Sequence, residues 1–219
     1  MICQPQGLIL LLFSGKLFFL CLSYFLLFFV AYPLILICRP VVELWLVCVP
    51  QYTVQFIQLY LIFLLIDALS GSLWVSSETI GNIAKYQFTV SSMIIMNIPI
   101  IYVLFKFGCS PVYAVIVRIA INFITHCYRI FYLKHKVNFP VRRYVVEVMF
   151  RCLWVSVCII PVPFFLHKFL TSSWGSHILV VLTSLIISGV VIYKFGLDAK
   201  ERGFVISTVT NKFMFLKKQ

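Results

Sequence analysis

Five polar side chains recur along one apolar segment of the chain, between Pro111 and Leu133. They are Arg118, Asn122, Thr125, His126 and Arg129. On a helix that turns about 100° per residue, these five fall within an arc of roughly 100°. Charge inside a membrane helix is costly, so it usually faces a bundle interior or a water-filled cavity, where guanidinium groups can neutralise an anion. This polar stripe predicts that the chain handles something polar within a membrane, with Arg118, Asn122, His126 and Arg129 as candidates to line a substrate cavity.

Asp67, in the second apolar segment, is the acid that could meet the stripe. At 1.5 Å per residue, Asp67 lies roughly 23 Å from the outer end of its helix, and His126 and Arg129 lie at roughly 22 and 27 Å on theirs. We therefore expect Asp67 beside these two residues, in an ion pair, as a helix cap, or as an ion or proton site. Arg118, at only roughly 11 Å, has no acidic residue at its depth. Two simpler interpretations stay open, since Arg129 could extend to the cytoplasmic interface and His126 could be a hydrogen-bonded interior residue.

Small residues and a proline mark two places where the predicted helices could change course. Ser70 and Gly71 could form either a hinge or a seam where helices pack closely. A continuous helix from residue 52 to residue 80 would span roughly 43 Å, more than a hydrocarbon core of about 30 Å. It must therefore tilt, break or protrude. Pro99, two residues after Asn97, predicts a kink in the third segment.

The composition indicates that these segments cross a membrane. Hydrophobic residues make up 63% of the chain and charged residues 11%, whereas soluble domains have about 45–50% and about 25%. Six segments approach the required length of about 20 apolar residues. They are Leu17–Cys38, Tyr52–Val75, Tyr86–Phe105, Pro111–Leu133, Val145–Leu166 and His177–Phe195. We expect an all-α, polytopic membrane bundle with a truncated amino-terminal edge (residues 1–16), a six-helix transmembrane domain (residues 17–195) and a basic cytoplasmic tail (residues 196–219).

The distribution of lysine and arginine predicts the orientation of these spans. If six helices alternate, fourteen of the 18 basic residues fall on one side of the membrane. The fourteen are Lys16, Lys85, Arg129, Lys134, Lys136, Arg142, Arg143, Arg151, Lys194, Lys200, Arg202, Lys212, Lys217 and Lys218. The positive-inside rule then puts both termini in the cytoplasm. The same rule explains the net charge of +12 without nucleic acid as a partner, because the headgroups of anionic membrane lipids supply the counter-charge.

No pattern in the chain indicates a metal or a cofactor. The eight cysteines form no CxxC pair and no Cys/His ligand spacing, so we expect neither a zinc site nor a disulfide scaffold. No glycine-rich phosphate loop, catalytic carboxylate pair or nucleophile elbow occurs. We therefore expect a protein that is not an enzyme.

A series of short motifs runs through most of the chain. It begins at Ser14-Gly15-Lys16-Leu17-Phe18 and continues through Leu44-Trp45-Leu46 and Pro50-Gln51-Tyr52-Thr53. It is clearest at Ile66-Asp67-Ala68-Leu69-Ser70-Gly71, followed by Gly81, Lys85-Tyr86-Gln87, Asn97, Pro99 and Tyr102, and it closes with Gly108, Pro111, Gly196-Leu197 and Glu201-Arg202. In their order and spacing these motifs resemble the bacterial polysaccharide-transport family, the flippases for O-antigen and other lipid-linked oligosaccharides within the multidrug/oligosaccharidyl-lipid/polysaccharide exporter superfamily.

The resemblance implies a role in the cell envelope. Family members are bundles of twelve to fourteen helices in two lobes, and this chain is similar to the last six of a fourteen-helix version. The implied function is a carboxy-terminal fragment of a transporter that moves lipid-linked precursors of lipopolysaccharide O-antigen or capsule (of the undecaprenyl-pyrophosphate type) across the bacterial cytoplasmic (inner) membrane. The fragment would need a missing amino-terminal lobe or another subunit. The alternatives are a membrane-embedded polysaccharide polymerase or acyltransferase, and a non-transporting accessory or remnant protein.

Overall fold

A computed structural model describes residues 6–78, 83–137, 139–170, 173–196 and 203 of the chain. Within these ranges every regular element is helical and no strand occurs, which confirms the prediction of an all-α protein. The α-helices are α1 (Gln6–Leu36), α2 (Cys38–Trp45), α3 (Thr53–Ala68), α4 (Gly71–Glu78), α5 (Ile83–Ile95), α6 (Asn97–Lys106), α7 (Val112–Val137), α8 (Val141–Tyr144), α9 (Arg151–Ile159), α10 (Pro161–Phe169) and α11 (Trp174–Val191). Two π-helical segments, Val145–Phe150 and Ile192–Gly196, continue α8 and α11.

Five helical stretches of the described residues are long and apolar enough to cross a membrane. They are Phe19–Leu36, Ile83–Lys106, Val112–Lys136, Val141–Phe169 and Trp174–Gly196. By length and composition, the chain is therefore a multi-pass membrane protein. The predicted second span, Tyr52–Val75, differs: it is divided into α3 and α4 by a turn at Leu69 and Ser70. The length of this segment predicted that the helix must tilt, break or protrude, and the structure shows a break.

The chain forms two compact units, divided between Phe150 and Arg151. In the first unit, α7 packs against α3, α4, α5 and α6, and α1 packs against α3 and α4. Tyr24, Phe28 and Tyr32 stack along one buried face of α1, because residues four apart lie above one another on a helix. The central position of α7 exposes its polar stripe to several helices at once.

The second unit contains α9, α10, α11 and the π-helical segment that follows α11. Val180, Ser184 and Ser188 recur every four residues on α11 and are buried. Because small side chains let backbones approach closely, they suit the packing of α11 against α9.

The two predicted ends of the chain are only partly described. Residues 1–5 lie outside the described ranges, and α1 already begins at Gln6, within the predicted amino-terminal edge. Of the predicted basic tail, residues 196–219, only Gly196 and Gly203 are described, so this prediction lies outside the described residues.

Candidate functional site: a polar cavity beside α7

A cavity of about 560 Å³ lies in the first unit among α3, α5, α6 and α7. Its polar lining consists of Asp67 from α3, Asn97 from α6, and Arg118, Asn122, Thr125 and Arg129 from α7. Half of its apolar lining comes from isoleucines of α5 and α6, namely Ile94, Ile95, Ile98 and Ile101. The cavity thus combines polar and apolar lining, which suits an amphiphilic occupant.

The spacing of the polar residues on α7 explains why four of them share one side of the cavity. Arg118, Asn122, Thr125 and Arg129 fall within an arc of roughly 60° on a helix. The hydroxyl of Thr125 is already used, because it donates a 2.8 Å hydrogen bond to the carbonyl of Ile121. The two guanidinium groups and the Asn122 amide are therefore the groups of α7 that can donate a hydrogen bond to an occupant.

Asp67 contacts the stripe at Asn122. The Asn122 amide Nδ2 donates to Asp67 Oδ1 at 3.4 Å, which links α3 to α7. Within the described part of the chain, ion pairs join Arg39 to Glu43 and Arg143 to Glu147, and neither pair includes Asp67. The expected partners, His126 and Arg129, lie one and two turns further along α7. Arg129 lines the same cavity as Asp67, so the expectation that Asp67 lies beside these two residues stays a prediction.

Arg118 packs on an aromatic ring. Its guanidinium carbon lies 4.9 Å from the centroid of the Phe63 ring, close enough for a cation–π interaction. Phe63 is four residues before Asp67, so both residues lie on the same face of α3 and line the cavity. Phe63 was not among the residues predicted from the sequence, although its position one helical turn from Asp67 was a usable signal.

Arg129 is buried in the protein and does not extend to the surface. Its relative exposure is 8%. Its Nε is a buried donor that has no hydrogen-bond partner among the described residues. Asn97 Oδ1, on the α6 side of the same cavity, is likewise buried without a partner in the described part of the chain. A buried cation is expensive unless it is hydrogen-bonded and paired. The Arg129 Nε–H therefore favours an occupant with an acceptor oxygen, such as an anion, whereas the Asn97 oxygen favours a donor.

His126 does not share the cavity wall, contrary to the expectation from sequence. Its side chain is 2% exposed, and its Nε2 lies 3.3 Å from the hydroxyl of Tyr144. On a helix His126 projects roughly 80° away from Arg118, at the edge of the stripe. This angle is enough to point the ring toward α8. The surroundings of His126 are therefore those of a hydrogen-bonded interior residue.

Ser70 and Gly71 lie at the break between α3 and α4. Ser70 is fully buried, and both its N–H and its hydroxyl donate to the Asp67 carbonyl, at 2.9 and 3.0 Å. A Cβ built on Gly71 would meet no atom within 4 Å. Gly71 is therefore not a point of close helix packing, whereas the hinge stays a prediction.

Pro99 follows a second interruption, where α5 ends at Ile95 and α6 begins at Asn97. Proline has no N–H to donate to the carbonyl four residues earlier, here that of Ile95. The Asn97 amide Nδ2 donates to the neighbouring Ile94 carbonyl at 2.9 Å. Asn97 thus satisfies one of the carbonyls before the proline at this one-residue interruption, and the kink itself stays a prediction.

No group of three or more His, Cys, Asp or Glu side chains that could hold a metal occurs among the described residues. Comparison with models of protein families, with curated proteins and with solved structures gives no match to this chain. What the chain does must therefore be argued from the cavity and from the resemblance of its motifs.

Proposed function

We propose that this chain is the carboxy-terminal part of a flippase-like transporter for lipid-linked polysaccharide precursors. The buried Arg129, whose Nε has no hydrogen-bond partner among the described residues, on the wall of a cavity with both polar and apolar lining is the observation that carries this proposal. A lipid-linked oligosaccharide combines a pyrophosphate and a hydrated glycan with a long hydrocarbon chain. Guanidinium groups suit the pyrophosphate because they donate in a planar fork. The isoleucine lining of the cavity suits hydrocarbon.

The mechanism in this proposal is movement without covalent chemistry. A cavity that opens alternately to the two faces of the membrane moves a headgroup by rigid-body rocking of lobes, as transporters generally do. The second lobe is an amino-terminal part or another subunit. In the proposed orientation both termini are cytoplasmic, and the membrane is the bacterial cytoplasmic membrane, where O-antigen and capsule precursors are assembled.

Binding of farnesyl diphosphate, a short polyprenyl diphosphate, to the purified chain in detergent tests the proposal directly. We expect R129Q to bind about ten- to a hundredfold more weakly, because a hydrogen bond to a charged group contributes about 1.5–3 kcal/mol. The matched control is R142Q, which removes an exposed cation of α8 outside the cavity. Farnesol, which lacks the diphosphate, reports binding by the apolar part alone.

Equal loss of affinity in R129Q and R142Q would contradict the proposal, because general positive charge would then explain binding. Equal affinity for farnesol and farnesyl diphosphate would also contradict it. In cells, the corresponding expectation is that R118A or R118E in the intact transporter reduces surface polysaccharide.

A further inference from the structure

The break between α3 and α4 leaves a backbone carbonyl that a distant side chain satisfies. Carbonyls at a helix end lack intrahelical partners. The Asp67 carbonyl is taken by Ser70, and the Trp74 N–H donates to the Ser70 carbonyl at 2.9 Å. The Leu69 carbonyl, between these two, accepts a 3.0 Å hydrogen bond from the Tyr144 hydroxyl, 75 residues along the chain.

The hydroxyl of Tyr144 is held in place by packing. Its side chain is fully buried. Its ring centroid lies 6.1 Å from that of His126 and 5.8 Å from that of Phe139. Tyr144 is the last residue of α8, and its backbone N–H donates a 3.1 Å hydrogen bond to the Pro140 carbonyl. The hydroxyl therefore meets the break with little freedom.

The direction of each hydrogen bond follows from the chain of donors. Because the Tyr144 hydroxyl gives its hydrogen to Leu69, its oxygen accepts from His126 Nε2, 3.3 Å away. Neutral imidazole carries one hydrogen, so His126 Nδ1 is bare. This agrees with Nδ1 having no partner among the described residues. Two hydrogen bonds, from His126 Nε2 to the Tyr144 hydroxyl and from that hydroxyl to the Leu69 carbonyl, are together called the α7–α8 link below.

The link is adjacent to the polar lining of the cavity. Leu69 is two residues after Asp67 on the broken helix, and His126 is one turn after Asn122 on α7. Close to the link, α3 and α7 are also joined by the Asn122–Asp67 hydrogen bond, which is long at 3.4 Å. The position of the Asp67 carboxylate in the cavity therefore depends on how firmly the end of α3 is held.

We propose that Tyr144 and His126 are positioning residues that hold the α3–α4 break and, through it, the Asp67 carboxylate on the cavity wall. The role assigned to that wall rests on the proposed function, whereas the link itself does not. Neither residue contacts the occupant, since neither lines the cavity. They act through the Leu69 carbonyl.

Hydrogen exchange of the full chain in lipid nanodiscs, followed by mass spectrometry, tests the link. In Y144F the ring packing stays while the hydroxyl is lost. The amides of residues 70–74 should then exchange about tenfold faster, the size expected for one buried hydrogen bond of ordinary strength. The matched control is Y113F, which removes the hydroxyl of an exposed tyrosine near the start of α7.

Two substitutions of His126 separate the hydrogen bond from the bulk of the ring. A glutamine amide nitrogen reaches the position of Nε2, so H126Q should exchange like the unsubstituted chain. An asparagine amide nitrogen reaches only the position of Nδ1, so H126N should exchange as fast as Y144F. Because asparagine is also one methylene smaller than glutamine, the hydrogen bond is read from H126N together with Y144F: a packing defect alone would leave Y144F, whose ring is unchanged, at the original rate.

Carbodiimide labelling of carboxyl groups reports on Asp67 itself. We expect Asp67 to be modified several-fold faster in Y144F and H126N than in the unsubstituted chain, with Glu43 as the internal reference. The inference is overturned if Y144F exchanges and labels at the original rate, if H126Q and H126N behave alike, or if Y113F accelerates as much as Y144F. Binding of farnesyl diphosphate tests the proposed function separately. Whether every variant loses this binding or none does, the hydrogen-exchange results alone decide whether the link exists.

Discussion

At the scale of single residues, Arg129 illustrates a conflict between stability and binding. The guanidinium group is buried beside the cavity, and its Nε lacks a hydrogen-bond partner among the described residues. Such a group costs folding free energy for as long as the cavity holds no anion. Retaining it makes physical sense where an anion supplies the missing charge.

We therefore expect R129M to raise the stability of the ligand-free chain by about 1–3 kcal/mol, since it replaces a buried charge by an apolar side chain of similar length. Thermal unfolding in detergent measures this change, and R142M at an exposed position is the control. A lower melting temperature in R129M alone would mean that Arg129 is compensated in the ligand-free protein.

Arg118 and Phe63 provide a second test at this scale. Their contact at 4.9 Å should contribute about 0.5–1 kcal/mol if it is a cation–π interaction at a partly exposed site. A double-mutant cycle with F63L and R118M measures the coupling free energy. Strict additivity of the two substitutions would show that the ring and the cation do not interact.

Some of this site could be predicted from the sequence, and some could not. The helical period placed Arg118, Asn122 and Arg129 on one face of α7, because that period depends only on local geometry. The depth of Asp67 relative to α7 was not predictable, because it depends on tilt and on the break after Ala68. The pairing of His126 with Tyr144 was also beyond reach, since the two rings come from different helices.

At the scale of elements, the two helix interruptions differ in how directly the sequence predicts them. Pro99 removes a backbone donor, so an interruption near it follows from covalent chemistry. The break at Leu69 and Ser70 follows from no single residue type. It was expected because the second segment is longer than the membrane is thick, with Ser70 and Gly71 as the candidate hinge.

Gly71 offers a direct test of that break. Nothing lies within 4 Å of a Cβ placed on it, and its backbone is helical. We expect G71A to be neutral or to stabilise the chain by up to about 1 kcal/mol, because alanine loses less backbone entropy than glycine on folding. Chemical or thermal unfolding in detergent provides the measurement.

If transport by the intact protein falls in G71A while stability is kept or raised, the glycine serves motion at a hinge. If both stability and transport are unchanged, the glycine has no such role. A loss of stability would contradict the open space around Gly71.

At the scale of the whole molecule, the arrangement of basic residues predicts which connections face outward. In the proposed orientation, the connection from α2 to α3 and the connection from α6 to α7 lie on the outer side. Cys48 and Cys109 lie in these two connections, Cys48 exposed and Cys109 partly exposed, and both are free thiols.

We expect a membrane-impermeant maleimide applied to intact cells or spheroplasts to label both cysteines. Single-cysteine variants that retain Cys48 or Cys109 allow the two positions to be read separately by mass shift. Permeabilised cells are the control for reactivity. Labelling that appears only after permeabilisation would reverse the orientation.

The break after α3 also affects the lipid around the protein. The 16 residues of α3 give roughly 24 Å of apolar helix, whereas the 24 residues of Ile83–Lys106 give roughly 36 Å. A flat bilayer of one thickness matches only one of these lengths. The lipids beside the first unit must therefore compress near α3, or the longer helices must tilt, and either response stores elastic energy. The chain length of the surrounding lipids is thus a physical variable that acts on the cavity through α3.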